Sequence, residues 1–222
     1  MIRTLNLSDL SQALELHKDL LAEEFISTCG DKFLYHYYRT WMATPYGVSL
    51  GAFEDYELVG LLLGSINPSL HYRYMLANGG LRLAYDLGIH ALKNPQFRRE
   101  LIRTRLKRYL FAMGRVTKSS LLPKNRQSAT TLRTQSENNA QVRIGEITHL
   151  LVSNRSQGKG IGKLLVEEMV ARSTPLNLSK IVLVTPPKSQ AKDFYSHIGF
   201  KEETTLTNSS GETFLRMYLP LD

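Results

Sequence analysis

The sequence predicts a mixed α/β fold with antiparallel hairpins, one strand–helix–strand unit and a helical insertion. Three observations predict it. Apolar runs of strand length, bounded by turn residues, come in hairpin pairs near both ends of the chain. A strand at 145–152, a helix at 160–173 and a strand at 180–184 form a β-α-β unit between those pairs. A stretch of about seventy-five residues after Ile66 breaks the pattern and carries most of the basic charge.

Taken in order, Ile2–Leu5 reads as a short strand. Asn6 or Ser8 caps a helix running to about Phe25, with Leu10, Leu14, His17 and Leu21 on one face. His17 is thus a packed helix residue rather than a ligand. After Gly30-Asp31 a second helix covers Phe33–Trp41. Val48–Phe53 and Glu57–Ser65 are strands joined by Glu54-Asp55-Tyr56. Gly79–Leu92 and Pro95–Met113 read as helices, Pro95 suiting a first helical turn, and 115–141 as a polar loop without period. The β-α-β unit follows, then a helix at about Gln190–His197 ended by Gly199-Phe200. Strands at about Lys201–Thr207 and Glu212–Leu219 close the chain around Asn208-Ser209-Ser210-Gly211. This gives residues 1–66 and 143–222 as two parts of one domain and 67–142 as a basic, mainly helical insertion.

Composition narrows the class. The longest apolar run, Leu58 to Ile66, is too short to span a bilayer, and the first residues have no apolar signal core. Cys29 is the single cysteine, so no intramolecular disulfide forms and a reducing cytoplasm is the expected compartment. It reads as a small buried residue, not a nucleophile. Between Leu70 and Arg143 stand fifteen basic and three acidic residues, a balance of +12 against +8 for the whole chain, so the remainder is net acidic.

The chemistry-bearing stretch is Asn154–Ser173, NRSQGKGIGKLLVEEMVARS, with glycines at 158, 160 and 162. N–H groups that open a helix have no intrahelical partner, and the helix dipole is positive there. Glycines let a pyrophosphate approach such a backbone without meeting a Cβ. A Walker A loop needs G-x-x-x-x-G-K-[ST]; here the spacing is one residue short and Leu164 replaces the hydroxyl. A G-x-G-x-x-G fingerprint fails because Lys163 or Leu165 stands at the third glycine.

Gln157-Gly158-Lys159-Gly160-Ile161-Gly162 fits [QR]-x-x-G-x-[GA], which resembles the acetyl-CoA-binding motif of the GNAT superfamily of N-acetyltransferases. Downstream, Gln190-Ala191-Lys192-Asp193-Phe194-Tyr195-Ser196-His197-Ile198-Gly199-Phe200 is similar to that family's A-x-x-[FLIV]-Y-x-x-x-G-F helix. The likeness covers 143–219 well, 1–66 loosely and 67–141 not at all. It implies a GNAT-like, mostly antiparallel sheet flanked by helices, whose strands at 145–152 and 180–184 splay apart.

The resemblance further implies acetyl-CoA as co-substrate and no metal. The pantetheine arm would bond to the backbone of Leu150, Leu151 and Val152, and the pyrophosphate to the N–H groups of Gln157, Gly158, Lys159, Gly160, Ile161, Gly162 and Lys163. Lys159 and Lys163 either add charge there or form a solvated helix start, Lys163 pairing with Glu167. Lys188 stands where the family often has an Asn on the pantetheine arm, and is placed to reach a phosphate instead. Tyr195 matches the family's tyrosine that protonates the leaving thiolate. The family's frequent Glu on the later strand is here Leu183, so Glu146 is the first choice for the base, with Thr148 ordering a water; the alternative is an ordinary strand-edge carboxylate. Strict alternation would put Glu146, Thr148, Leu150 and Val152 on one face and Ile147, His149 and Leu151 on the other.

The expected function is transfer of an acetyl group from acetyl-CoA to an amine of a small molecule or amino sugar. The alternatives are an inactive CoA-binding or anionic-surface-binding protein, or an acyltransferase taking its donor from an acyl carrier protein. The insertion at 68–143, with Arg98, Arg99, Arg103, Lys107 and Arg108 as its cationic cluster, is expected to contact an acidic partner or the inner face of an anionic membrane, or to support a homo-oligomer. No stacking-aromatic pattern or recognised module supports nucleic acid.

Overall fold

The computed structural model describes residues 1–104, 143–208 and 211–221. The chain divides into two compact units, Met1–Gly88 with Arg143–Asp222, and Ile89–Val142.

In the first unit seven strands form one sheet: β1 (Ile2–Thr4), β2 (Gly47–Glu54), β3 (Glu57–Ser65), β4 (Ile144–Val152), β5 (Lys180–Thr185), β6 (Lys201–Thr207) and β7 (Thr213–Pro220). Their order is β1-β2-β3-β4-β5-β7-β6, and every neighbouring pair is antiparallel except β4 with β5. Strands β2 and β3 are joined through Asp55 and Tyr56, both at positive φ (46° and 68°), the backbone of a two-residue hairpin turn that matches the strand twist.

Helices cover both faces. α1 (Leu10–Leu20), α2 (Phe25–Thr28), α3 (Asp31–Ala43) and α4 (from Pro68) belong with one face, and α6 (Ile161–Ser173) and α7 (Gln190–His197) with the other. On the first face Leu10, Ala13, Leu16, Leu34, Tyr38 and Trp41 bury against Leu61, Leu63 and Leu151. On the second Leu165, Val166 and Met169 bury against Leu50, Leu62, Ile147, Ile181 and Met217. Leu164 is exposed; Ile161, Leu165, Val166 and Met169 form the buried stripe of α6. His17 is fully buried, as expected of a packed helix residue.

The first helix starts through a short 3₁₀ turn at Leu7–Asp9. Asn6 accepts from Ser8 N at 2.9 Å, and Asp9 accepts from Asn6 N at 2.8 Å. α1 stops at Leu20 rather than near Phe25, because Leu21 leaves the helical region (φ −127°, ψ 36°) and α2 is a separate turn.

The helix expected at Gly79 begins eleven residues earlier, and α4 spans Pro68–Lys93. Asn67 Oδ1 accepts from Leu70 N at 3.1 Å and Pro68 follows it, a capped start with proline in the first turn. Gly79 is therefore no boundary. A Cβ there would lie 2.6 Å from Thr40 Cγ2, so glycine is what lets α4 approach α3. The two helices are tied further by His36 Nδ1 with Asp86 Oδ2 at 2.6 Å, and by the Trp41 and His71 rings at 4.1 Å.

In the second unit Asn94 Oδ1 accepts from Phe97 N at 3.1 Å and opens α5 (Pro95–Thr104). Ala91, Phe97 and Leu101 are buried, and the His90 and Phe97 rings meet at 4.8 Å. The expected continuation to Met113, the loop at 115–141, Lys107 and Arg108 lie outside the described residues.

Candidate active site

Strands β4 and β5 pair over only three positions, Ile144 with Lys180, Gly145 with Ile181 and Glu146 with Val182. Beyond Glu146 the two part, although β4 runs on to Val152 and β5 to Thr185. The β5-facing backbone of Leu150, Leu151 and Val152 is thereby released from sheet pairing. The glycine stretch lies just past the open end of that wedge.

The stretch leaves β4 through a 3₁₀ turn at Asn154–Ser156. Gln157 Nε2 donates to Val152 O and Asn154 Oδ1, each at 3.1 Å, closing the turn onto the strand end. Ser156 is fully buried and donates to Glu54 Oε2 at 3.2 Å, and Lys159 Nζ donates to the same oxygen at 3.1 Å. The Lys159 ammonium holds the Glu54 carboxyl below its ordinary range. Lys159 thus anchors the loop to the β2–β3 hairpin, and Lys163 lies 3.8 Å from Glu167, one turn along α6. Lys188 is exposed just after β5.

Gly158 and Gly160 have φ of 75° and 79°, the left-handed region that glycine enters without strain, and a Cβ on either would meet nothing within 4 Å. The space in front of them is open, and Gly160 caps α6. Leu164 N donates back to Gly160 O at 3.1 Å, so the N–H groups before it are the partnerless donors of a helix start. An exposed, cationic, Cβ-free helix N-terminus of this kind suits a phosphate. Gly162 serves otherwise: its Cβ would lie 3.0 Å from Phe194 Cζ, so it lets α6 and α7 close on each other, while Ile161 is buried in the core.

Glu146 sits at the apex of the wedge. Burial raises its pKa above the ordinary carboxylate range, and the Tyr72 hydroxyl and the Arg216 charge pull it partly back. Strict alternation along β4 does not hold. Leu63 pairs with His149 and Gly64 with Ile147, leaving Thr148 as an extra residue. Ile147, Leu150 and Val152 consequently pack on the α6 side. His149 faces the other way, its ring 5.2 Å from that of His17 and its Nε2 3.5 Å from Tyr37 Oη. Glu146 acts on Tyr72 and Tyr37 and so shares the His149 side, contrary to the expected alternation. Burial pushes His149 down to about 3 and His17 to about 4, so both imidazoles are neutral and His149 is a weak base. Thr148 Oγ1 is buried with no direct hydrogen bond, which suits a bound water.

Tyr195 is buried on α7 between Phe194 and Phe200, with ring centroids at 5.2 and 5.4 Å. Burial raises its phenol well above the ordinary value, so it stays protonated. Glu146 thus faces the α3–α4 side and Tyr195 the α6–α7 side, with the parted strands between. Sequence reasoning missed Tyr37, Tyr72 and Arg216. Asn67-Pro68 was the available signal for Tyr72, since it places that side chain in the first turns of α4.

Among the described residues no group of three or more His, Cys, Asp or Glu side chains could hold a metal ion. None of their helices is long and apolar enough to cross a membrane.

Residues 115–221 match the family model described as the acetyltransferase (GNAT) domain. No curated protein matches the chain significantly. Among solved structures, an aminoglycoside 6'-acetyltransferase type Ii aligns over 100% of this chain and 97% of its own, at 14% identity and a TM-score of 0.58. An aminoglycoside 6'-N-acetyltransferase complexed with coenzyme A aligns over 100% and 97%, at 13% identity and a TM-score of 0.56. A ribosomal-protein-alanine N-acetyltransferase from Escherichia coli aligns over 100% and 94%, at 11% identity and a TM-score of 0.54.

Proposed function

We propose that this chain, whose residues 115–221 match the acetyltransferase (GNAT) domain, moves an acetyl group from acetyl-CoA to a primary amine of a small molecule or amino sugar by direct attack. The observation that carries this reading is the parting of β4 and β5 after Glu146, beside the open glycine cradle at 158–160. The released backbone of Leu150–Val152 offers N–H and C=O groups to the pantetheine amides. The N–H groups of 157–163 offer a seat for the pyrophosphate, with Lys163 and Lys188 adding charge near it; Lys159 acts mainly by bracing the loop on Glu54.

An ammonium has no lone pair, so the amine must lose a proton before it attacks. Glu146, its pKa raised by burial, accepts that proton directly or through a water on Thr148. The free amine then forms the C–N bond as the C–S bond breaks, Tyr195 protonates the departing thiolate, and the second proton, shed by the acylated nitrogen, restores the Tyr195 phenol through water. Release of free thiol from acetyl-CoA, followed over a panel of primary amines, tests the proposal. Turnover that needs an amine and is lost in Glu146→Gln supports it; CoA binding without turnover on any amine would leave the inactive binding protein instead.

A second reading concerns the second unit. Leu92 and Ile102 are exposed there, as are Arg98 and Arg99. Exposed apolar and cationic side chains together suit an anionic surface, whether a membrane's inner face or an acidic acyl carrier protein. Sedimentation with anionic and neutral liposomes at low and high salt separates these from a homo-oligomer contact, because membrane binding alone follows the lipid charge.

A further inference from the structure

The first turns of α4 belong to the first unit and bring an aromatic side chain to the β4 carboxylate. Trp41 Nε1 donates to Gly64 O at 3.2 Å, which fixes the indole where β3 crosses the β4 bulge. Tyr37 lies against that indole at 5.5 Å, and Tyr72 meets it edge-on at 6.4 Å and 87°. Tyr72 is also 5.4 Å from the buried ring of its chain neighbour His71. Trp41 is bonded to Gly64, and the next residue, Ser65, pairs with Glu146, so Tyr72 comes to the Glu146 end of β4, yet the residue stays 42% exposed. A core tyrosine would not be so open, and a surface tyrosine would not face a half-buried carboxylate.

We propose that α4 completes the acceptor site: Tyr72, with Tyr37 and Trp41 beside it, seats the cationic head of a primary amine over its ring and directs its hydroxyl at the Glu146 carboxylate that receives the amine's proton. This rests on the acyltransferase reading above and deepens it. Aromatic faces attract ammonium groups, and a carboxylate below them adds the countercharge. The surrounding charges agree. Glu24 and Glu146 both act on Tyr37, and among the described residues the cation acting on Glu146 is Arg216, which is ion-paired with Glu203 at 2.7 Å. His149 is neutral, so it adds no repulsion to an arriving ammonium. Tyr72 is a positioning residue for Glu146 and a specificity residue for the amine.

The Tyr72 hydroxyl stabilises the ionised carboxylate, so its removal must raise the Glu146 pKa. The test uses the full chain labelled with ¹³C at the Glu carboxyls. The Glu146 signal is identified by its loss in Glu146→Gln, and wild type is titrated against Tyr72→Phe without any substrate. The expected result is a higher Glu146 midpoint in Tyr72→Phe, with the acidic limb of kcat/KM moving to higher pH by the same amount. An unchanged midpoint overturns the proposal. Tyr72→Leu, which also removes the ring, is expected to raise KM for spermidine or kanamycin a further two- to five-fold, the worth of an exposed cation–π contact; an unchanged KM overturns the seat. A midpoint that moves while Glu146→Gln keeps full turnover overturns the parent reading of Glu146 as base, not the Tyr72 contact.

Discussion

Ile147 and His149, two residues apart on β4, face opposite sides of the sheet. In a regular strand they would share a face. Thr148 is the extra residue of a bulge, and it returns Glu146 and His149 to a common side. A bulge of this kind bends a strand and re-aims its side chains. Here it coincides with the point where β4 leaves β5, so one backbone irregularity opens the wedge and turns the carboxylate toward Tyr37 and Tyr72.

The Glu146 environment fixes the sign of two pH dependences. As a base it works only when ionised, and burial raises its pKa, so turnover rises with pH through a midpoint above the ordinary glutamate range. Glu146→Gln should lower turnover on the order of 10²-fold or more and abolish that rise, while CoA affinity is kept. Stability runs the other way. The folded state binds the proton more tightly than the unfolded state, so stability falls as pH rises between the unfolded and folded midpoints. Thermal unfolding of Glu146→Gln should match wild type below that window and exceed it above. Equal pH slopes for the two proteins would show that burial does not penalise the charge.

Gly160 is a position of conformation rather than of space. A Cβ meets no atom within 4 Å, but φ is 79°, which costs a residue with a side chain roughly 1–2 kcal/mol. Gly160→Ala and Gly160→Val should therefore fold with a modest loss of stability, and both should weaken CoA binding by turning the α6 N–H groups and narrowing the approach. Calorimetric titration with CoA measures this. Full affinity in either folded variant would remove the cradle from the proposal.

Tyr195 separates packing from chemistry. Its ring is held by Phe194 and Phe200, and Tyr195→Phe keeps that packing. Turnover should fall on the order of 10²–10⁴-fold with CoA affinity nearly unchanged, the usual cost of losing a proton-transfer group. Wild-type turnover, measured where chemistry limits the rate, would make Tyr195 a core aromatic only.

The β-α-β unit and the terminal hairpins were legible because their signals are local. Gln157–Gly162 supplies a turn with left-handed glycines, and the helix at Gln190–His197 matches its expected span. Three things were not legible, for physical reasons. The bulge at Thr148 is a property of β3–β4 pairing and leaves no mark in hydrophobic period. The end of α1 at Leu20 runs against a periodicity that continues to Leu21. The start of α4 was misplaced because Gly79 was read as punctuation, whereas its role is a contact with Thr40, far away in sequence.

That contact gives a last prediction. Gly79 and Gly80 are neighbours in the same helix, and alanine should help both by helix propensity, roughly 1 kcal/mol each. Their surroundings differ. At Gly80 the nearest atom to an added Cβ is Leu76 Cδ2 at 3.9 Å, ordinary contact, so Gly80→Ala should gain most of that stability. At Gly79 the Cβ would lie 2.6 Å from Thr40 Cγ2 and 2.7 Å from Thr40 Oγ1. Thr40 cannot easily turn away, because it is β-branched and its hydroxyl donates to His36 O at 2.7 Å. Overpacking of this kind costs about 1–3 kcal/mol, enough to cancel or exceed the propensity gain. Gly79→Ala should therefore be no more stable than wild type and less stable than Gly80→Ala. It should also move α4 off α3 and carry Tyr72 away from Glu146, so kcat/KM for the amine falls while CoA affinity holds. Thermal unfolding ranks the two variants, and steady-state kinetics with calorimetric CoA titration separates the acceptor defect from a donor defect. If Gly79→Ala is as stable and as active as Gly80→Ala, α4 is free to shift on α3, and the close packing of the two helices does not position Tyr72.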